Sequence, residues 1–150
     1  MRTKKAVAGW VLLGMIGVTG AAGSVRADDL ADGIALFGQG KYAEAEACLR
    51  HATGPEASAY LAASLARQKK HAEAEAPARA ALEAIPTHAV AVGALGESLV
   101  GQKKYDEAIA GLSAALARKD DLAYAYYWRG QAYDKKNQSA RMVADYQSFL

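Results

Sequence analysis

Cysteine is nearly missing from this chain: Cys48 is the only one in 150 residues. An internal disulfide is therefore excluded, and with only three histidines a structural zinc site is not expected. Proline occurs three times, phenylalanine twice and tryptophan twice, while β-branched residues are few. Alanine dominates from residue 31 onward, and that balance favours helix over strand. Motifs that carry chemistry are missing as well, with no nucleophile elbow, phosphate-binding glycine loop or paired-carboxylate pattern. What is present is globular in composition, 52% hydrophobic and 23% charged, in a length that suits one domain rather than a disordered tail.

The first 27 residues read as an address. Met1-Arg2-Thr3-Lys4-Lys5 precedes an uncharged run from Ala6 to Ala22, followed by Ser24-Val25-Arg26-Ala27. A charged start, an apolar stretch, and Val25 and Ala27 three and one before a junction predict a secretory signal cleaved to leave Asp28 first. A retained anchor helix is the alternative, but the run is short for the roughly 20 apolar residues of a membrane span, and glycines interrupt it. With no cysteine at the junction, a lipid-modified N-terminus is not expected. Removing Arg2, Lys4, Lys5 and Arg26 from the 18 basic residues leaves 14 against 16 acidic, so the net charge passes from +2 to −2. The basic excess thus belongs to the leader, and the remainder lacks the footprint of a nucleic-acid binder.

The rest of the chain repeats itself. Gly40-Lys41-Tyr42-Ala43-Glu44-Ala45 aligns with Lys69-Lys70-His71-Ala72-Glu73-Ala74 and with Lys103-Lys104-Tyr105-Asp106-Glu107-Ala108. Small residues fall at Gly33, Ala62, Gly96 and Gly130, and three positions later stand Leu36, Leu65, Leu99 and Tyr133. Further on, Ala45, Ala74, Ala108 and Met142 align, then Leu49, Ala78, Leu112 and Tyr146, then Ala52, Ala81, Ala115 and Phe149. Spacings of three and four within each unit mark helix faces, so each unit is predicted to be two amphipathic helices joined by a polar turn. The small residue of the first helix is expected to face the alanine of the second. One pair cannot bury its apolar face alone, whereas stacked pairs share a continuous core.

This pattern resembles the tetratricopeptide repeat, whose period is 34 residues. Val90 to Leu112 carries the best match, Ala125-Tyr126-Tyr127-Trp128-Arg129-Gly130-Gln131-Ala132-Tyr133 is very like a first helix of that family, and Ile85-Pro86 stands where the family places its closing proline. The resemblance implies an all-α, right-handed superhelical solenoid of about four helix pairs, with repeats at about 29–54, 55–86, 89–120 and 123–150. Three departures matter. Asp29 and Asp32 replace apolar residues in repeat one, as a water-facing terminal unit would have, and Thr53-Gly54-Pro55 explains its shortness. Pro77 falls inside a helix, where a kink or local loosening is expected. The last helix carries Tyr146, Phe149 and Leu150 with no polar capping helix in the sequence to cover them, so it is expected to be the least stable element unless something else does.

Candidate chemistry is sparse. Glu44, Cys48 and His51 share a helix face, but three ligands on one helix do not enclose an ion, and a solvated outer face explains them. His71 and His88 read as turn and helix-boundary residues. The lysine pairs Lys69-Lys70, Lys103-Lys104 and Lys135-Lys136 read as solvated charges near helix C-termini. The resemblance implies a functional surface on the concave groove lined by first helices. Helical offsets place Ile34 and Phe37 there, with Ala59, Ala63 and Ala66, then Arg67, Gly93, Glu97 and Val100, and finally Tyr127, Gln131 and Asp134 flanked by Tyr124 and Trp128. Members of the family that grip a C-terminal carboxylate use lysines and asparagines on this face, and none stands at the equivalent places here.

The expected protein is an exported, non-enzymatic adaptor in a bacterial periplasm. It would bind a peptide or protein segment through Ile34, Phe37, Ala63, Arg67, Glu97, Tyr127, Trp128 and Gln131, without cofactor, metal, nucleic acid or a membrane span in the mature chain. Two alternatives stand beside it: an assembly module that meets a second copy or a larger complex through its last helix, and a thiol or metal enzyme centred on Cys48.

Overall fold

The computed structural model describes residues 25–150. The expected leader, residues 1–24, lies outside them. Eight helices follow in order: α1 (Val25–Gly38), α2 (Tyr42–Leu49), α3 (Pro55–Arg67), α4 (His71–Ala84), α5 (Ala89–Gly101), α6 (Tyr105–Arg118), α7 (Ala123–Lys135) and α8 (Ser139–Phe149). Among the described residues there is no strand, and no helix is long and apolar enough to cross a membrane. The expected junction after Ala27 falls three residues into α1.

All four helix pairs turn in the same way. Gly40, Lys69, Lys103 and Asn137 occupy one column of the repeat, and all four have positive φ, 76°, 65°, 62° and 57°. In each turn the next residue donates its N–H to a carbonyl five positions back, Lys41 to Leu36, Lys70 to Leu65, Lys104 to Leu99 and Gln138 to Tyr133, at 2.8–3.0 Å. This left-handed cap closes the first helix and starts the second. Between repeats one and two, Gly54 at φ 102° precedes Pro55, the first residue of α3. Between two and three, His88 caps α5, its Nδ1 accepting from the Ala91 N–H.

The odd-numbered helices pack side by side, α1 on α3, α3 on α5 and α5 on α7, whereas the backbones of α2, α4, α6 and α8 come close only to odd-numbered helices. The stack therefore closes up along its first helices and splays along its second ones, leaving the first helices on the inner side of the curve. Its core runs through Ala62, Val92, Leu95, Leu99, Ala108, Leu112, Ala125 and Ala132. The stripe read from repeat three, Val92, Leu95, Gly96 and Leu99, is buried throughout.

Three local expectations can be set against the structure, and the first and third need correction. The small residue of the first helix does not face the alanine of the second. A Cβ on Gly33 would lie 2.6 Å from Leu49 Cγ, and one on Gly130 would lie 2.8 Å from Tyr146 Cε1, so each glycine receives the large residue one turn further along. Gly96 faces the next repeat instead: a Cβ there would be 2.7 Å from Trp128 Cβ. The second concerns Pro77: α4 is helical from His71 to Ala84, so the ring does not end the helix. The carbonyl that loses its N–H partner is that of Glu73, which is solvent-exposed and free to bond water.

The lysine pairs are the third. Lys70 and Lys104 are not simply solvated charges: each reaches across to the preceding repeat, Lys70 Nζ to Glu46 and Lys104 Nζ to Glu75, at 2.8 and 2.9 Å. Each carboxylate also accepts from an arginine four residues on, Arg50 or Arg79, and from a glutamine of the next repeat, Gln68 or Gln102. Lys69 and Lys103 instead occupy the left-handed turn position. Lys136 pairs with Asp106 across the third junction, and Lys135 lies 3.7 Å from Asp134.

Candidate functional site

The inner curve holds a hollow of about 170 Å³. Phe37 of α1, Ala63 and Arg67 of α3, five residues of α5 from Ala89 to Glu97, and Tyr124 and Trp128 of α7 line it. Every repeat thus contributes through its first helix. The walls are mostly apolar, and Arg67 and Glu97 supply the charge. A second hollow adjoins it, sharing Arg67, Glu97, Tyr124 and Trp128 and adding Lys69, Tyr127 and Phe149.

Aromatic rings shape both ends. Phe37 meets Tyr42 and Tyr60 at centroid distances of 5.4 Å. At the other end Tyr127 packs edge-on against Trp128 at 4.9 Å and lies 5.4 Å from Phe149. Trp128 is half-buried, its base set against Gly96 and its ring bordering the hollow. Glycine at 96 makes this possible: any side chain there would push α7 away from α5. Gly93, one turn earlier, faces Tyr124 with ordinary clearance, 3.4 Å for an added Cβ, and forms part of the floor.

Glu97 differs from the other buried acids. Its side chain is only 6% exposed, yet among the described residues neither oxygen accepts a hydrogen bond from the protein. Two cations stand off from it, Arg67 Nε at 3.6 Å and Lys69 Nζ at 3.8 Å. Glu46 and Glu75 are held much more closely. The Lys70 ammonium, with help from Arg50 and Gln68, outweighs burial and lowers the Glu46 carboxyl from 4.5 to about 2. Lys104, Gln102 and Arg79 do the same for Glu75, also to about 2. Those two carboxylates are fully engaged within the fold, whereas the carboxylate of Glu97 looks into the groove.

Of the residues expected from the sequence, Phe37, Ala63, Arg67, Glu97, Tyr127 and Trp128 line these two hollows. Ile34 and Gln131 stand outside them, Gln131 sitting one turn along α7 with its amide 3.5 Å from the Tyr127 hydroxyl. Ala59 and Ala66 are fully buried between helices and present no surface. Sequence reading missed Ala89, Val90 and Ala94, which sit at the α5 start and along its inner face, as well as Lys69 and Phe149. On the outer side, Glu44 and His51 are exposed and Cys48 is half-buried on or beside α2. His88 binds Glu56 across the repeat boundary at 3.0 Å, and the His71 ring is seated against Gly101 of α5, so both histidines join neighbouring repeats.

Comparison with known proteins agrees with this architecture. The family profile described as Tetratricopeptide repeat matches residues 30–89 and 94–147. A search of curated proteins finds no match. Among solved structures, the chain is similar to TTC0263, a thermophilic tetratricopeptide-repeat protein of Thermus thermophilus. That likeness has a TM-score of 0.75 at 18% identity, covering 83% of this chain and 73% of the other. It is also similar to MamA, residues 41 to the end, from Desulfovibrio magneticus, with a TM-score of 0.69 at 25% identity over 86% of this chain and 76% of that one. Two profile matches that together span most of the chain, a 34-residue period and four helix pairs with identical turns lead to one conclusion: the chain belongs to the tetratricopeptide repeat family.

Proposed function

We propose that this protein is an exported adaptor that holds a peptide or protein segment in its inner groove. Its fold is that of protein-interaction scaffolds. The observation that carries the groove reading is the hollow between α1, α3, α5 and α7, where aromatic side chains and a buried carboxylate meet at one accessible surface. An aromatic-lined concavity with few polar groups is what a recognition site needs, because apolar area gives affinity and the polar groups set orientation.

A photo-crosslinking residue at Tyr124, and another at His51 as the outer-face control, tests this in the native envelope. The groove reading expects a discrete adduct from position 124 and none from 51. The reverse pattern would move the binding surface outward. Export rests on the charged start, the apolar run and the Val25/Ala27 pair, and a bacterial periplasm fits both that signal and the family. N-terminal sequencing of the exported protein should read Asp28-Asp29-Leu30, and a chain still starting at Met1 would point to the anchor instead. A second reading has one observation behind it: Val143 on α8 is 46% exposed, an apolar contact through which the last helix could join a second copy or a larger assembly.

A further inference from the structure

We infer that the segment held in the groove is an internal stretch of peptide pairing a bulky apolar side chain with an acidic one. This rests on the groove reading above and names the ligand chemistry for that site. Three observations carry it. The hollow bounded by Phe37, Val90 and Trp128, at about 170 Å³, has room for one large apolar side chain. Immediately beside it stand Arg67 and Lys69, whose side chains are 44% and 76% exposed, against the single buried carboxylate of Glu97. The charged residues lining the two hollows therefore sum to one surplus positive charge. Finally, Glu97 is buried and accepts no hydrogen bond from the protein, which leaves it free to take a backbone N–H of the bound segment.

A cationic ligand fits less well. Seated against Glu97, it would share that one carboxylate with Arg67 and Lys69 and meet their repulsion. An acidic side chain instead joins two exposed donors whose attraction to Glu97 is already loose at 3.6 and 3.8 Å. The position of the cations also favours an internal segment over a chain end. Arg67 lines both hollows and Lys69 the second, so apolar surface continues past them toward Phe37 and Val90 in one hollow and toward Tyr127 and Phe149 in the other.

The test uses the full chain and dye-labelled peptides of glycine and serine blocked at both ends, each with one phenylalanine beside an aspartate, a lysine or a serine. A fourth peptide ends in phenylalanine with a free carboxylate. Binding is read by fluorescence anisotropy at low salt. The aspartate peptide should bind about fivefold more tightly than the serine peptide, and the lysine peptide more weakly than either. Glu97→Gln, which removes the competing negative charge, should tighten the aspartate peptide severalfold. Arg67→Gln combined with Lys69→Asn, chosen because asparagine tolerates the left-handed turn, should erase the preference, so that the aspartate and serine peptides bind equally. A preference for lysine, loss of binding in Glu97→Gln, or equal affinity for aspartate and serine would overturn the inference while leaving the groove reading intact. Preference for the free carboxylate alone would overturn the internal-segment assignment. Failure of every phenylalanine peptide would bring down the groove reading itself.

Discussion

The first two repeat junctions and the third solve one packing problem with different chemistry. Between repeats one and two, Glu46 gathers Arg50, Gln68 and Lys70; between two and three, Glu75 gathers Arg79, Gln102 and Lys104. These are the same columns of the repeat used twice. At the third junction the carboxylate column holds Ile109 and the arginine column Ser113, so that clamp cannot form. Across this junction Arg129 donates to Ser113 Oγ at 2.9 Å and Lys136 pairs with Asp106, while inside repeat four the same Arg129 forks onto Asp145 of α8 at 2.7 and 2.8 Å. The earlier clamps have half-exposed cations, whereas the Arg129–Asp145 pair is 18% and 7% exposed and packs beneath Tyr126 and Tyr133. Each junction carries a polar bridge built from different residues, and the Arg129 that spans the third is also locked to a buried acid of its own repeat, so its loss is expected to cost most.

That contrast can be broken at four places. Arg129→Ala leaves Asp145 buried without a partner, so it should destabilise repeat four by about 3–5 kcal/mol. Hydrogen exchange should show α7 and α8 opening while α3 to α5 stay protected, because neighbours in a stack unfold locally. Uniform loss of protection would mean that the junctions are not separable. Gly96→Ala forces a Cβ to within 2.7 Å of Trp128 Cβ, which cannot swing aside. Overpacking of about 1–3 kcal/mol should outweigh the roughly 1 kcal/mol gained in helix propensity. Gly93→Ala, with 3.4 Å of clearance, should be neutral or stabilising in the same denaturant titration.

The clamps at the first two junctions should also give the protein an acid limb. Because the Glu46 and Glu75 carboxyls fall from 4.5 to about 2 on folding, the stability they contribute is complete above about pH 5 and is lost as pH falls toward 2. Glu46→Gln with Glu75→Gln should lower thermal stability at pH 7 and flatten its decline below pH 5. An unchanged acid limb would assign the decline to other carboxylates. The smallest effect is expected at Lys103, whose φ of 62° is strained for any residue with a Cβ. Lys103→Gly should raise stability by about 0.5–1 kcal/mol, with no corresponding gain from glycine at Lys104, which sits outside the left-handed position and anchors the Glu75 clamp.

The repeat register made the fold readable before any coordinates. Columns such as Leu36, Leu65, Leu99 and Tyr133 fix helix faces through periodicity, and periodicity survives because stacked units all bury the same stripe. The inner-face residues Phe37, Arg67, Glu97 and Trp128 followed from the same offsets. What periodicity could not supply was contact between columns. That Gly96 receives Trp128 of the next repeat depends on how closely α5 approaches α7, and that Lys70 reaches Glu46 depends on the splay of α2 against α3. Both are distances between units rather than properties of one. Ala59 and Ala66 were misplaced for a related reason: alanine is equally at home on a groove floor and in a helix contact, so the residue type did not decide between them.

Backbone amide spectra of the full chain, recorded with and without the blocked phenylalanine–aspartate peptide, test most directly whether this family member binds on its inner curve. The account predicts shifts concentrated on α3, α5 and α7, at Arg67, Gly93, Glu97 and the Trp128 indole N–H, with α2, α4 and α6 unmoved. Shifts confined to those second helices, or no shift at Trp128 under conditions where the peptide is bound, would contradict it.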